Sequence, residues 1–380
     1  MDEPADSAIY ENCPVVSEES IASLAIFDPD VHLAPCAEPP SCIDMDELGL
    51  GSVGISKVAV SKPFPLFTLE GVRRIREELF KHETLANHIF SDTLNPSTVR
   101  GMCLDRTSFI KEAWTHPEVK RRINEAAGVE LDIIFDYEIG HTYVGSKEEI
   151  QPTLMVSPNW HKDSYPFVCI LMLCESSHLE GGRTVIEKSD GSQFFADLPP
   201  IGHAMVLQGG YILHAVSPTD KMQERISMVT SYRPSDPLKE DISVLRTVRT
   251  MSDVRELHRQ WCQYRLKVLA RRAEVLAAKL DDPAFDGRIE DEMAKFMIDQ
   301  GEYMAHTWGE MIRPVASVKT NLRETYLAWK AKDMEAEESA SSSEDELESP
   351  IDARISAQVA EGQKPEEVTV EAVPNIAVFG

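Results

Sequence analysis

Behind Thr68, in "TLEGVRRIREELFKHETLANHIF", the apolar residues Val72, Ile75 and Leu79 recur at three- and four-residue steps, which predicts a helix with Thr68 as its N-cap. A second helical stretch, "DRTSFIKEAWTHPEVKRRINEAAGVEL", is interrupted at Pro117 and closes near Gly128. From residue 131 the period changes. "LDIIFDYEIGHTYVG", "YPFVCILMLCES", "GGRTVIEK", "SQFFADLP", "HAMVLQGGYILHAV" and "RISMVTSYRP" are short runs of β-branched, aromatic and aliphatic residues separated by Gly, Pro, Ser and Asp. Such a density of short strands predicts an all-β barrel or sandwich of about 100 residues. After Pro237 helical spacing returns in two long amphipathic segments around the loop "DDPAFDG", expected to pack against the β core.

Composition changes this picture mainly at the ends. Of the formal charge of −26, residues 1–60, with twelve acids and one base, and 333–380, with thirteen acids and two bases, carry −22, leaving −4 for the middle. Both outer segments lack a sustained hydrophobic period, so they are expected to be disordered and to contribute little to the core. The expected organisation is therefore a disordered acidic N-terminal segment (1–60), a helical support (61–130), a β core (131–236), a helical region (237–332) and a disordered, Ser-rich acidic tail (333–380). No apolar run approaches the ~20 residues of a membrane helix. The N-terminus lacks a secretory pattern. The seven scattered cysteines form no C-x-x-C pair. An intracellular setting is expected, cytoplasmic with a nuclear one left open, without membrane or, given a near-neutral middle lacking a basic stripe, nucleic-acid partners.

Candidate chemistry centres on "NWHKDSYPFVCILML", where His161 and Asp163 stand just before an apolar run. In a strand, residues i and i+2 share a face, so an imidazole and a carboxylate can converge there as two arms of a metal site. His214, at the end of "MVLQGGYILHAVSP", is the candidate third arm. Two histidines and a carboxylate form a facial triad suited to non-haem Fe(II), with zinc the competing ion. Beyond it, Arg225 shares a strand face with Ser227, and its planar fork matches a carboxylate. Taken singly, each residue has a duller explanation: a strand-edge histidine, a turn aspartate, a surface salt bridge. His203, His141 and His178 are expected at the surface or behind the ligands, and Gln208 and Tyr165 are candidates for a pocket wall.

With these residues in this order the chain resembles the Fe(II)/2-oxoglutarate-dependent dioxygenases. "EGGRTVI" resembles a segment of their prolyl-hydroxylase-like branch, and "HKDSYPFVCILML", "ERISMVTSYRP" and "FIKEAWTHPEV" resemble a group of uncharacterised fungal members. The likeness covers roughly 61–236. It implies a mainly β core, a double-stranded β-helix or jelly-roll, with flanking N- and C-terminal helices. It implies Fe(II) held by His161, Asp163 and His214, and 2-oxoglutarate anchored by Arg225 and Ser227, with Tyr143 a candidate donor to the co-substrate carboxylate. O2 is consumed and succinate and CO2 released as a C–H bond of a small metabolite or protein side chain is oxidised. The four charged partners, Fe(II), Asp163, dianionic 2-oxoglutarate and Arg225, would together be neutral. Two rivals stay open: a non-catalytic binding or scaffold protein on the same core, and a metal-dependent β-barrel enzyme without 2-oxoglutarate. Substrate and oligomeric state are not legible.

Overall fold

Thr68 caps the first long helix as the sequence predicts, its Oγ1 accepting from the Gly71 N–H at 3.0 Å. In the computed structural model, which describes residues 27–90, 98–103, 108–145, 160–217 and 225–312, this helix, α1, spans Leu69–Leu79, and α2 follows over His82–His88. The second expected helical stretch is α3 (Phe109–Thr115) and α4 (Pro117–Ala127). Pro117 starts α4 at a position where its missing N–H leaves no hydrogen bond broken, and Gly128, at φ 65°, ends it in the left-handed region. These residues all belong to one compact unit, Met1–Pro314. The acidic tail expected over 333–380 lies outside the described residues.

Strands follow where the period changes, joined by shorter ones nearer the N-terminus. Among the described residues the major sheet has ten antiparallel strands, eight of them in the path β1 (Cys42–Asp44), β2 (Val58–Ser61), β11 (His203–Leu207), β8 (Phe167–Met172), β13 (Arg225–Pro234), β7 (His141–Gly145), β5 (Thr98–Val99) and β4 (Ile89–Phe90). Off this path, β3 (Phe64–Pro65) pairs with β11 and β6 (Leu131–Ile133) with β13. The minor sheet is β10 (Gln193–Phe195), β9 (Thr184–Glu187) and β12 (His214–Val216).

Strand alternation gives the major sheet two different faces. Outward, Cys169, Leu171, Ile226 and Met228 pack with Ile75, Ile110 and Trp114 of the helices, and the Trp114 indole N–H reaches the Met228 sulfur at 3.3 Å. Inward, Val168, Met205, Leu207 and Val229 share a second cluster with Ile186, Ala196 and Ile212 of the minor sheet and its loops. β8 is covered on both faces, which is why "FVCILM" reads as an unbroken apolar run. Burying one such aliphatic side chain contributes roughly 1.5–3 kcal/mol, so these two layers dominate the stability of the core. The result is a mainly β, jelly-roll core, a double-stranded β-helix, with flanking helices.

After the core, α5 (Val254–Asp281) and α6 (Ile289–Ile312) form a helical pair. Trp261 and Tyr264 bring α5 onto Ile134, Phe135 and Tyr165. Among the described residues no helix is long and apolar enough to cross a membrane.

The expectation of disorder over 1–60 is corrected from Phe27 onward. β2 is buried at every position, Met45 and Leu48 are at most 2% exposed, and β1 and β2 extend the major sheet. Gln208 fastens this segment: its Oε1 accepts from the Ile55 N–H at 2.7 Å, and its Nε2 donates to the Val58 carbonyl at 2.8 Å. Gln208 is thus a clamp on the N-terminal segment. Averaging the acids over sixty residues hid the apolar run Val58–Val60, whose partner β11 lies far along the chain.

Candidate metal centre

The H-x-D pair does not lie within a strand, as its sequence suggested, but ahead of β8, separated from it by bends at Ser164, Tyr165 and Pro166. Its backbone is fixed from the side. His161 and His214 form an isolated antiparallel bridge, each N–H donating to the other's carbonyl at 2.9 Å, and the Asp163 N–H donates to the Gly209 carbonyl at 3.0 Å. His214 opens β12 of the minor sheet opposite Ile186.

This brings together the three expected ligands. One donor atom from each of His161, Asp163 and His214 lies within 4.8 Å of the others, and the imidazole centroids are 4.4 Å apart. Both histidine Nε2 atoms are 3.6 Å from Asp163 Oδ1, beyond ordinary hydrogen-bond length. Two donors each about 2.1 Å from one ion sit roughly 3–3.5 Å apart, so the spacing fits a shared cation better than direct pairing. The Asp163 Oδ2 atom is buried and lacks a hydrogen-bond partner among the described residues. A carboxylate oxygen left in that state is costly unless something positive completes it.

The residues around the triad orient it. His214 Nδ1 lies 2.9 Å from the Ile212 carbonyl, which favours its proton on that nitrogen and leaves the Nε2 lone pair for the site. Gly209 gives Asp163 room: a Cβ there would lie 1.9 Å from Oδ2. Burial pushes the Asp163 carboxyl up, but His214 and His161 together outweigh this and hold it below the usual range. Burial pushes the His214 imidazole down, with Asp163 opposing, which favours the neutral ring that ligates metal.

Arg225 and Ser227 lie at the start of β13, with Arg225 Nη1 donating to Ser227 Oγ at 3.0 Å. Ser227 stands cross-strand from Tyr143 on β7 and from Met172 on β8, and its alternation partner Val229 belongs to the cluster between the sheets. Arg225, Ser227 and Tyr143 therefore face the barrel interior. Burial pushes the Arg225 guanidinium down, with Cys174 opposing, and its Nε is buried without a partner among the described residues.

Other candidates fall elsewhere. His178 is exposed, and His203 starts β11 with Nδ1 3.2 Å from the Ile201 carbonyl. His141, expected at the surface or behind the ligands, is buried at 6% exposure, its ring 5.4 Å from that of Tyr143. Tyr165 is buried and donates to Glu138 at 2.9 Å. Sequence reasoning missed Arg100, Glu138 and Gly209; only the adjacent glycines 209 and 210, shortly before His214, were a visible signal.

No family profile and no curated protein matches this chain. Solved structures similar to it include a 2OG-Fe(II) oxygenase family oxidoreductase from Burkholderia pseudomallei, at 16% identity and TM-score 0.34, covering 52% of this chain and 95% of that one. A prolyl-4-hydroxylase from Pseudomonas putida is similar at 15% identity and TM-score 0.31, over 46% of this chain and 91% of that one. HygX from Streptomyces hygroscopicus, solved with nickel and 2-oxoglutarate bound, is similar at 12% identity and TM-score 0.31, over 51% of this chain and 88% of that one.

Proposed function

We propose that this protein is an Fe(II)/2-oxoglutarate-dependent dioxygenase that oxidises a C–H bond of a small metabolite or protein side chain. The observation that carries the reading is the convergence of His161, Asp163 and His214 within 4.8 Å of one another, in a barrel whose inner face also bears Arg225 and Ser227. Two neutral imidazoles and one carboxylate would hold iron while leaving open positions. Iron held by these residues together with 2-oxoglutarate would supply O2 activation coupled to decarboxylation of the oxo acid to succinate and CO2.

The chain's own residues bind and orient. Arg225 would pair with the distal carboxylate of 2-oxoglutarate, Ser227 would share that oxygen, and Tyr143 is placed to add a hydroxyl from the neighbouring strand. Asp163 and Arg225 keep the loaded site neutral overall, which an interior lined by Val168, Met205 and Val229 requires. Arg225 and Ser227 also distinguish this reading from a zinc enzyme that lacks an oxo-acid partner. Within the superfamily, "EGGRTVI" favours the prolyl-hydroxylase-like branch and "HKDSYPFVCILML" the uncharacterised fungal members.

The test is spectroscopic. Metal-free protein given Fe(II) and then 2-oxoglutarate without oxygen should develop a weak visible charge-transfer band. Tight zinc binding with no response of any spectrum to 2-oxoglutarate would overturn the assignment.

A further inference from the structure

On the strand face that carries Tyr143 and Ser227 lies a second polar group that the proposed iron and co-substrate sites do not use. Arg100 and Glu138 are fully buried, and Arg100 Nη2 pairs with Glu138 Oε1 at 2.5 Å. The Tyr165 hydroxyl donates to the same oxygen at 2.9 Å. Glu138 Oε2 lies 3.5 Å from His141 Nδ1, too far for a good hydrogen bond. Four buried atoms are thereby left without partners among the described residues: Arg100 Nε and Nη1, Glu138 Oε2 and His141 Nδ1.

The strand register places Arg100 and His141 of this group on the barrel's inner face. Thr98 stands opposite Tyr143, and Val99 opposite Thr142, so Arg100, two residues beyond Thr98, comes level with His141 on the face that carries Tyr143 and Ser227. His141 precedes Tyr143 by two residues on β7, so the group shares a strand face with the residues proposed to hold the co-substrate. Burial, then the Arg100 charge, pushes the His141 imidazole well down, so the ring is neutral. Tyr143 thus stands between two stations, Arg225–Ser227 on one side and Arg100–Glu138–His141 on the other.

An ion pair that served only as a strut would be costly in this state, because a buried pair repays its desolvation only when its remaining protons and lone pairs are satisfied. We propose that Arg100, Glu138 and His141 form the recognition site for the primary substrate, and that they receive a neutral head group of carboxamide type. The inference rests on the oxygenase reading and names the substrate class for that site. A carboxamide oxygen accepts from Arg100 while its NH2 donates to Glu138 Oε2, which uses donor and acceptor together. A carboxylate or phosphate satisfies the donors only, and it brings a charge that no neighbour balances: Arg100 and Glu138 cancel each other, and the loaded iron site is itself neutral.

Matched probes test this: N-acetyl-leucinamide against N-acetyl-leucine, and benzamide against benzoate, titrated into anaerobic Fe(II)-loaded protein with and without 2-oxoglutarate. Each amide should bind at least tenfold tighter than its acid. Glu138→Gln replaces the acceptor and leaves Arg100 unbalanced, so the preference should reverse towards the acids. Arg100→Met with Glu138→Met removes both charges at similar volume, and this variant, checked for cooperative unfolding, should lose the preference altogether. Binding of neither probe class, equal binding of both, or an unchanged ratio in Glu138→Gln would show an internal strut completed by water. Failure of 2-oxoglutarate to bind is read separately in the same titrations and would count against the oxygenase reading instead.

Discussion

His161 and His214 hold each other by a reciprocal pair of backbone hydrogen bonds, both 2.9 Å, although 53 residues of sequence separate them. The bridge sets the spacing of the two imidazoles through main-chain hydrogen bonds, which do not depend on either side chain. His161→Ala or His214→Ala should abolish stoichiometric iron binding with little loss of thermal stability in the metal-free protein. His203→Ala should bind iron as the wild type does. Equilibrium dialysis with metal analysis reads all three, and iron retained by the His214 variant would mean that the third ligand is misassigned.

Gly209→Ala tests the room that Asp163 occupies. A methyl group 1.9 Å from Oδ2 must displace the carboxylate or the loop. Iron affinity should fall at least tenfold, whereas Gly191→Ala, where nothing lies within 4 Å but φ is 79°, should cost only about 1 kcal/mol of stability and leave iron binding alone.

Arg225→Lys should weaken 2-oxoglutarate while changing iron affinity little. Lysine keeps the charge but cannot present two parallel donors, and a charge-assisted hydrogen bond is worth on the order of 1.5–3 kcal/mol, or roughly tenfold to a hundredfold in affinity. Arg225→Ala should be worse. Anaerobic titration at fixed Fe(II), with thermal unfolding alongside, measures this, and equal affinity in all three folded proteins would remove Arg225 as the anchor.

Burial and Arg100 hold the His141 imidazole well below its usual range, with Asp163 opposing and Glu138 and Tyr143 also against the ring. The unfolded chain therefore takes up this proton first. The contribution of neutral His141 to stability is present above an unfolded value of about 6.5 and is lost as pH falls below it, by up to about 1.4 kcal/mol per pH unit. Metal-free wild type should lose stability more steeply between pH 6.5 and 5.5 than His141→Phe in urea unfolding. Parallel pH dependences would show that the ring is charged in the fold.

Gln208→Ala should destabilise the protein by at least about 2 kcal/mol, because it strips partners from the Ile55 N–H and the Val58 carbonyl. Deleting residues 1–62 should prevent folding, since it removes β1 and β2 from the sheet. A deletion variant with wild-type melting behaviour would show that the first two strands are dispensable.

The helices and most of the β core could be read from the chain because Thr68, Pro117 and Gly128 are local signals and the strands alternate or run apolar. The triad was legible for a related reason: two residues at i and i+2, and a histidine closing an apolar run, need no knowledge of register to be singled out. Arg100 and Glu138 carry no such mark. Their pairing depends on β5 lying against β7 with Thr98 opposite Tyr143, which no local pattern encodes. The same holds for β2, whose four residues acquire a role only when Leu207 comes to lie opposite Val60.

Among the described residues β13 is the longest strand and the last in chain order, yet it lies between β7 and β8 and also pairs with β6. During synthesis from the N-terminus, β6, β7 and β8 therefore leave the ribosome with their common partner still unmade. The major sheet can close only after Pro234 has emerged, so its folding is delayed until late in translation. A message truncated just upstream of that point yields no smaller working barrel, but two partial sheets, β8 with β11 and β7 with β5, each with the edge that β13 would fill left open.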